Sequence, residues 1–378
     1  MIYADNAATT KISDTALEKM LPFLSEQYGN ASAQYSLGIK AKRAIEHARK
    51  QVAIAIGAES SEITFTSGGS EANSWVLRSV IETYCGESIH IITSSIEHPS
   101  VMNTCQVLEK RGVEVTFLPV DNTGHISIND LNSAIKPNTK LVSIMFANNE
   151  IGSIQPIYEI GQLLKDKGIT FHTDAVQAIG HIPIDVDDMH IDILTASAHK
   201  FNGPKGTGIL YKRLGIELHP LVFGGEQEHG LRAGTENVAG IVATGFAIEE
   251  STSIMNKIAD KLSILANLTI DGIRKNIPSV RVNNNVKNNL PGLINLNFEG
   301  ISGESLVHIL DMKGICISTS SACKSLNGNP SHVLLAIGLS EEQAKSSIRI
   351  SYGRYNTEDE AKMIVSTVCD AYFKIKIA

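Results

Sequence analysis

Ile191–Asp192–Ile193–Leu194–Thr195–Ala196–Ser197–Ala198, followed by His199–Lys200–Phe201–Asn202–Gly203–Pro204–Lys205–Gly206, is the stretch whose reading decides the architecture of this 378-residue chain. A largely apolar run delivers a serine, a histidine and a lysine to its end, and a glycine-rich turn follows. About one strand and turn upstream, a similar run closes on His172–Thr173–Asp174. A lysine and a carboxylate brought to the ends of neighbouring strands are what a ligand site in an open α/β sheet requires.

The same rhythm extends outward in both directions. Ile63–Phe65, Ile89–Ser94, Val113–Pro119, Leu141–Ala147, Thr170–Asp174, Ile191–Ala196 and Gly208–Lys212 are strand-like, and helical patterns separate most of them. Alternation of this kind over residues 14–250 predicts βαβ units and a mostly parallel sheet, hence an α/β fold. Ser95–His98, Asn148–Glu150, Asp174–Gln177 and Ser197–Lys200 would then gather beyond the carboxyl ends of the strands. After residue 250 the pattern changes to one long helix over Ile241–Asn276, strands at Gly292–Phe298 and Ile348–Tyr352, and a terminal helix from Glu358. That predicts a second, smaller α+β domain with the long helix as connector.

Composition excludes several function classes. Thirty-three basic and forty acidic side chains give a net charge of -7, so no global positive field favours nucleic acid. No stretch approaches the ~18 uninterrupted apolar residues of a membrane span, and Met1–Asp5 lacks a secretory pattern. A cytoplasmic protein is expected. The five cysteines, at 85, 105, 316, 323 and 369, are odd in number and show no C-x-x-C or zinc-type spacing, which fits a reducing compartment and no metal site.

Thr66–Ser67–Gly68–Gly69–Ser70–Glu71 joins a strand to a helix, and backbone amides there, with a serine hydroxyl, suit a phosphate. A plain helix cap would look the same. Asp174 can keep a pyridine nitrogen protonated while Gln177 bonds a ring oxygen, although an aspartate before Ala175–Val176–Gln177 also reads as an N-cap. Lys200 is suited to hold an aldehyde as a Schiff base, with Ser197 and His199 beside the same phosphate. Taken with the glycine site and Asp174, it points to pyridoxal 5'-phosphate. His98 could stack on a flat ring and move protons near neutral pH, or serve structure alone. Arg349 interrupts an apolar strand; its planar fork suits a carboxylate ligand or a structural ion pair. Cys323 stands apart from the other four cysteines, in the small, polar stretch Ser318–Gly328 beside Lys324, where a thiol is accessible and its thiolate favoured.

The ordered set of motifs resembles the cysteine desulfurases of the NifS/IscS type, a branch of the class V aminotransferase-like, fold-type I pyridoxal phosphate enzymes. It runs nearly end to end: Tyr3–Thr10, Thr66–Glu71, Glu97–His98, Asn148–Gly152, His172–Ala175, Ser197–Gly206, Arg232–Asn237 and Ser321–Cys323. The resemblance implies a large domain (14–250) with a mostly parallel seven-stranded sheet, and a small α+β domain (1–13 and 251–378) carrying the cysteine loop. It implies Lys200, Cys323 and His98 as catalytic residues, with Lys200 bonded to the cofactor, His98 stacked on its ring and Cys323 accepting sulfur. Asp174 would pair with the pyridine nitrogen and Gln177 with the ring oxygen. Gly69, Ser70, Ser197 and His199 would hold the phosphate, and Thr235 would reach it from the other subunit of a homodimer. Asn149 and Arg349 would grip the carboxylate of L-cysteine. The long segment before Ser331–His332–Val333–Leu334 resembles the family's first group, whose cysteine loop passes sulfur to acceptor proteins in iron–sulfur assembly or thiolation. A selenocysteine lyase or another class V aminotransferase would use the same site without needing Cys323. Three positions depart from the family pattern, Ala31, Tyr35 and Glu226.

Overall fold

The computed structural model describes residues 1–284, 288–319 and 329–377. Seven strands form its main sheet, in the spatial order Ile63–Thr66, Gly208–Lys212, Ile193–Ser197, Thr170–Asp174, Thr139–Ser143, His90–Ser94 and Glu114–Leu118. All neighbours run parallel except Gly208–Lys212, which is antiparallel to both its partners. Strands buried on both faces explain why the sequence shows apolar runs in place of a polar alternation. Side chains still alternate between faces. Ile92, Val142, Phe171, Leu194 and Ile209 enter one core, whereas Ile91, Leu141, Ile193 and Leu210 enter another with Trp75 and Val76.

A second sheet is antiparallel, in the order Ser318–Thr319, Ser347–Ser351, Leu293–Asn297 and Arg281–Val282. Its core is separate: Leu296, Phe298, Ile348 and Ile350 pack with Ile273 and Ile364 from helices Met255–Asn276 and Glu358–Ile377. The amino terminus joins this part. Ile2–Tyr3 pairs parallel with Ile315–Cys316 and Asp5 bridges to Ser351, after which the Thr10 amide donates to the carbonyl of His199. Residues 5–10 thus form a strap from the small sheet to the end of the large one.

Two expectations from the sequence need correction. The helix over Ile241–Asn276 is two helices, Val238–Ser253 and Met255–Asn276, separated at Ile254 (φ -108°, ψ 3°). Thr252 and Ser253 turn their hydroxyls onto the carbonyls of Ile248 and Glu250, and Ser251 bonds the carbonyl of Phe201, so side chains compete with the helical ladder where it breaks. The strand expected over Leu141–Ala147 leaves the ladder at Ser143. Its continuation bends while the amides of Ile144 and Phe146 still donate to His172 and Asp174, which carries Asn148–Glu150 over the sheet edge. No helix among the described residues is long and apolar enough to cross a membrane.

One buried ion pair fixes the segment that follows the sheet. Glu228 and His229 hold left-handed backbone angles (φ 47° and 58°), which a non-glycine residue adopts only when its surroundings impose them. Arg49 imposes them: its guanidinium donates to both Glu228 carboxylate oxygens at 2.7 and 3.0 Å, and the Phe65 amide donates to the same carboxylate at 2.9 Å. Removing one partner of such a pair leaves an uncompensated buried charge. Arg49→Leu is therefore expected to lower stability by about 3–5 kcal/mol. Urea unfolding followed by the fluorescence of the single, buried Trp75 measures it.

Candidate active site

Beyond the carboxyl ends of the parallel strands lies a cavity of about 650 Å³. At one end, the Ile63–Thr66 strand passes through Ser67 and Gly68 into helix Gly69–Thr83, whose N-cap residue, Gly68, has no side chain to cap it. The first-turn amides and the positive end of the helix are left to a ligand. Glycine is required by space here: a Cβ on Gly69 would lie 2.6 Å from Cγ2 of Val176, and one on Gly208 2.6 Å from the Cα of Gly68. Ser70, Ser197, His199 and Lys205 line this end. Burial and the neighbouring Lys200 and Lys205 push the His199 imidazole down to about 4, so it is neutral at pH 7 and meets Thr9 through Nδ1 at 3.1 Å. Glu71 accepts from both the amide and the hydroxyl of Ser67 and from Arg232 Nε at 2.9 Å, which holds its carboxyl below the usual range.

Lys200 ends the short 3₁₀ turn Ala198–Lys200, and its Nζ donates to the strap carbonyls of Ala7 and Ala8. His181 bonds the Lys200 carbonyl at 3.0 Å from behind. Asp174 is not a helix cap, because a turn follows it. Its Oδ1 accepts from the Val176 amide at 3.0 Å and its Oδ2 from Asn73 Nδ2 at 2.6 Å. Gln177 donates to the Ala7 carbonyl at 2.8 Å.

Across the cavity, His98 is the N-cap of helix Pro99–Glu109, and its Nδ1 meets the Ser100 hydroxyl at 2.8 Å and the Ser100 amide at 3.2 Å. Burial first, and the Lys200 charge after it, lower its pKa against the pull of Asp174. Behind it, fully buried Glu97 accepts from Ser94 and the Met145 amide; burial pushes its carboxyl up to about 8, so it keeps its proton at neutral pH. At the far end Arg349, 2% exposed, donates to the Asn149 carbonyl at 2.8 Å and to Asp5 at 2.7 Å. Its Nε has no hydrogen-bond partner among the described residues. Glu150 and His332 complete that wall: Ser331 donates to the Glu150 carboxylate, and His332 Nε2 to the Glu97 carbonyl at 2.9 Å.

The cavity brings together Gly69, Ser70, His98, Asn149, Asp174, Gln177, Ser197, His199, Lys200 and Arg349. Thr235 is not among them; it lies in a separate cleft with Arg232, Gly234 and Glu236. Cys323 lies outside the described residues. Sequence reasoning placed Asn148–Glu150 at this edge and quoted Thr9, Lys205 and His332 within longer motifs, but gave no individual role to Asn73, Thr9, Lys205, Glu150 or His332. Asn73 had one usable signal, its position one helical turn after Gly69 on the face that returns to the sheet.

The model of the class-V aminotransferase family matches residues 2–364. The chain belongs to the class-V aminotransferase family. Among its relatives, the cysteine desulfurase IscS of Clostridium botulinum is 50% identical over 369 residues, which cover 97% of this chain and 93% of that protein. A solved structure described as a NifS-like protein matches with a TM-score of 0.93 at 37% identity, over 98% of both chains. SspA in complex with cysteine matches with a TM-score of 0.83 at 40% identity, covering 94% of this chain and all of the other. The fold-type I α/β architecture expected from the sequence is the one found.

Class-V aminotransferases are pyridoxal phosphate enzymes, and the cavity suits that group on its own chemistry. It offers an uncapped helix terminus for a phosphate, a space that a Cβ on Gly69 would fill, a carboxylate with two backing donors, and a lysine between them. His172, beneath the site, is structural: burial drives its imidazole down to about 3. The unfolded chain binds that proton near pH 6.5, so the stability His172 contributes is whole above about pH 6.5 and is lost as pH falls toward 3. His172→Gln is expected to shrink the loss of stability between pH 7 and pH 5 by about 2 kcal/mol, read from urea unfolding at the two pH values.

Proposed function

We propose that this protein is a cysteine desulfurase: it converts L-cysteine to L-alanine and holds the sulfur as a persulfide on Cys323 for delivery to acceptor proteins. The observation that carries the reading is the set of residues that the cavity brings together. Lys200, Asp174, Gly69, Ser70, Asn149 and Arg349 line one cavity; on this reading Gly69 and Ser70 take the phosphate, Asn149 and Arg349 the carboxylate of the amino acid. It is supported by the 50% identity to a cysteine desulfurase and by the likeness to a protein solved with cysteine.

Lys200 would hold pyridoxal phosphate, which when bound would supply an electron sink that weakens bonds at the α and β carbons of an amino acid. Gly69, Ser70, Ser197 and His199 would hold its phosphate, Gln177 its ring oxygen and His98 its ring. Asp174 would keep a proton on the ring nitrogen, and the hydrogen bonds from Asn73 and Val176 hold this carboxylate in place. The Arg349 guanidinium and Asn149 orient the substrate through its carboxylate, with Asp5 fixing the guanidinium from the other side. With the amine of L-cysteine in the place of its own, Lys200 Nζ would be free to take the Cα proton. The Cys323 thiolate attacks the substrate sulfur: an S–S bond forms and the C–S bond breaks. The electron pair stays with the three-carbon skeleton, which gains a proton at the β carbon, takes back at the α carbon the proton held by Lys200, and leaves as alanine.

A homodimer is part of the proposal. Thr235 lies outside its own chain's cavity, beside Arg232, which holds Glu71 of the phosphate helix. From there it serves the phosphate of a second copy. The acceptors are proteins of iron–sulfur assembly or thiolation pathways in the cytoplasm.

Lys200→Ala is expected to lower alanine formation from L-cysteine by about 100-fold or more. Cys323→Ser should keep the visible absorbance of the loaded enzyme yet carry no persulfide when assayed by mass spectrometry. Release of sulfur from cysteine at the wild-type rate by that variant would overturn the assignment of Cys323.

A further inference from the structure

A buried hydrogen-bond network runs beneath the cavity, and the anion within it dictates the direction of every donor. Asp174, as a carboxylate, only accepts, so the group of Asn73 that meets it at 2.6 Å is the Nδ2 amino group. Asn73 Oδ1 then faces Thr195, whose hydroxyl donates to it. That spends the only hydrogen of the Thr195 hydroxyl. Its contact with His172 Nε2 at 3.3 Å is therefore made by the ring N–H, and His172 Nδ1 accepts from the Ser143 hydroxyl at 2.8 Å. On the other side, the second Nδ2 hydrogen of Asn73 goes to the Ser100 hydroxyl at 2.9 Å. Ser100 turns its own O–H to His98 Nδ1 at 2.8 Å, where the Ser100 backbone N–H also arrives at 3.2 Å. A ring nitrogen that accepts from two donors carries no hydrogen.

We propose that Asn73 is a positioning residue: by dividing one amide between Asp174 and Ser100, it fixes His98 as the neutral imidazole with its hydrogen on Nε2. His98 is then a flat surface and a hydrogen-bond donor at the cavity, and proton removal falls to Lys200. Only the statement of what His98 lies against rests on the proposed function; the tautomer follows from the network alone. The charged and titratable groups around His98 are Asp174 at the end of the Thr170–Asp174 strand, Lys200 after the Ile193–Ser197 strand, Glu97 in its own loop and His332 from helix His332–Ala336. Burial and Lys200 oppose a second proton on the ring, in the same sense as the two donors at Nδ1.

Long-range proton–nitrogen NMR of the full chain labelled with ¹⁵N-histidine, with and without pyridoxal phosphate, tests this. His98 is assigned from the signal lost in His98→Gln. The expected result is a protonated Nε2 and an accepting Nδ1 between pH 6 and 8 in both states, with His172 showing the same tautomer. Ser100→Ala removes the hydroxyl donor to His98 and leaves Asn73 on Asp174. It should move the His98 titration up toward the ordinary imidazole range while the visible absorbance of the loaded enzyme stays. Asn73→Leu should move both the His98 signals and the pH dependence of that absorbance; if it fails to fold, Ser100→Ala decides alone. A His98 hydrogen on Nδ1, or titration unchanged by Ser100→Ala, overturns the proposal. A chain that makes no alanine from L-cysteine would overturn the desulfurase reading and leave the tautomer standing.

Discussion

A carboxylate buried at the end of a parallel strand is costly unless donors meet it, and much of this structure is arranged around the meeting of Asp174 with Asn73 and Val176. Asp174 is 4% exposed and ends the Thr170–Asp174 strand. Holding it requires the helix Gly69–Thr83 to pass directly over the strand ends, because Asn73 lies on that helix. The same placement aims the helix N-terminus at the cavity. Asp174 and the helix N-terminus at Gly69 are thus held as one unit, their spacing set by a single turn of helix between Gly69 and Asn73.

The opposite wall is built differently, from chain segments far apart in sequence. The strap of residues 5–10 begins in the small sheet, where Asp5 bridges Ser351 and bonds Arg349, and ends on the large one, where Thr10 bonds His199. Between those anchors its carbonyls at Ala7 and Ala8 receive Lys200, and the Ala7 carbonyl also receives Gln177. The two cores therefore meet through hydrogen bonds at the site. The carboxylate-binding end depends on where the small sheet stands, and the lysine on how the strap lies.

The sequence made the large sheet and its ligand edge legible because both depend on local chemistry. An apolar run that stops at a lysine or an aspartate carries its meaning within ten residues. The helix break at Ile254 was hidden because Ser251, Thr252 and Ser253 have ordinary helix propensities, and only their bonds in three dimensions oppose the ladder. Arg349 could be read as a carboxylate ligand or as an ion pair, and it proves to have the pair, with Asp5, 344 positions away. Asn73 looked like any polar residue of an exposed helix face. Its partners Asp174, Thr195 and Ser100 belong to two strands and a helix, and no spacing in the sequence relates them. The segment 226–230 carries no turn signature for consecutive left-handed residues at Glu228 and His229; a buried arginine from a distant helix supplies the reason.

The imidazoles of the site show how the charge is distributed. Burial holds His172 at about 3 and His199 at about 4, and lowers His98 and His181 as well. Lysine charge adds to burial in three of them: Lys200 acts on His98, His181 and His199. Four rings that lie on or under the cavity are thereby neutral at pH 7, and each has a ring nitrogen bonded to a neighbouring hydroxyl or carbonyl. The basic side chains that line the cavity with these rings are Lys200, Lys205 and Arg349. Neutral rings fix geometry without repelling the lysine, whereas an imidazolium at His98 or His199 would repel it across the cavity.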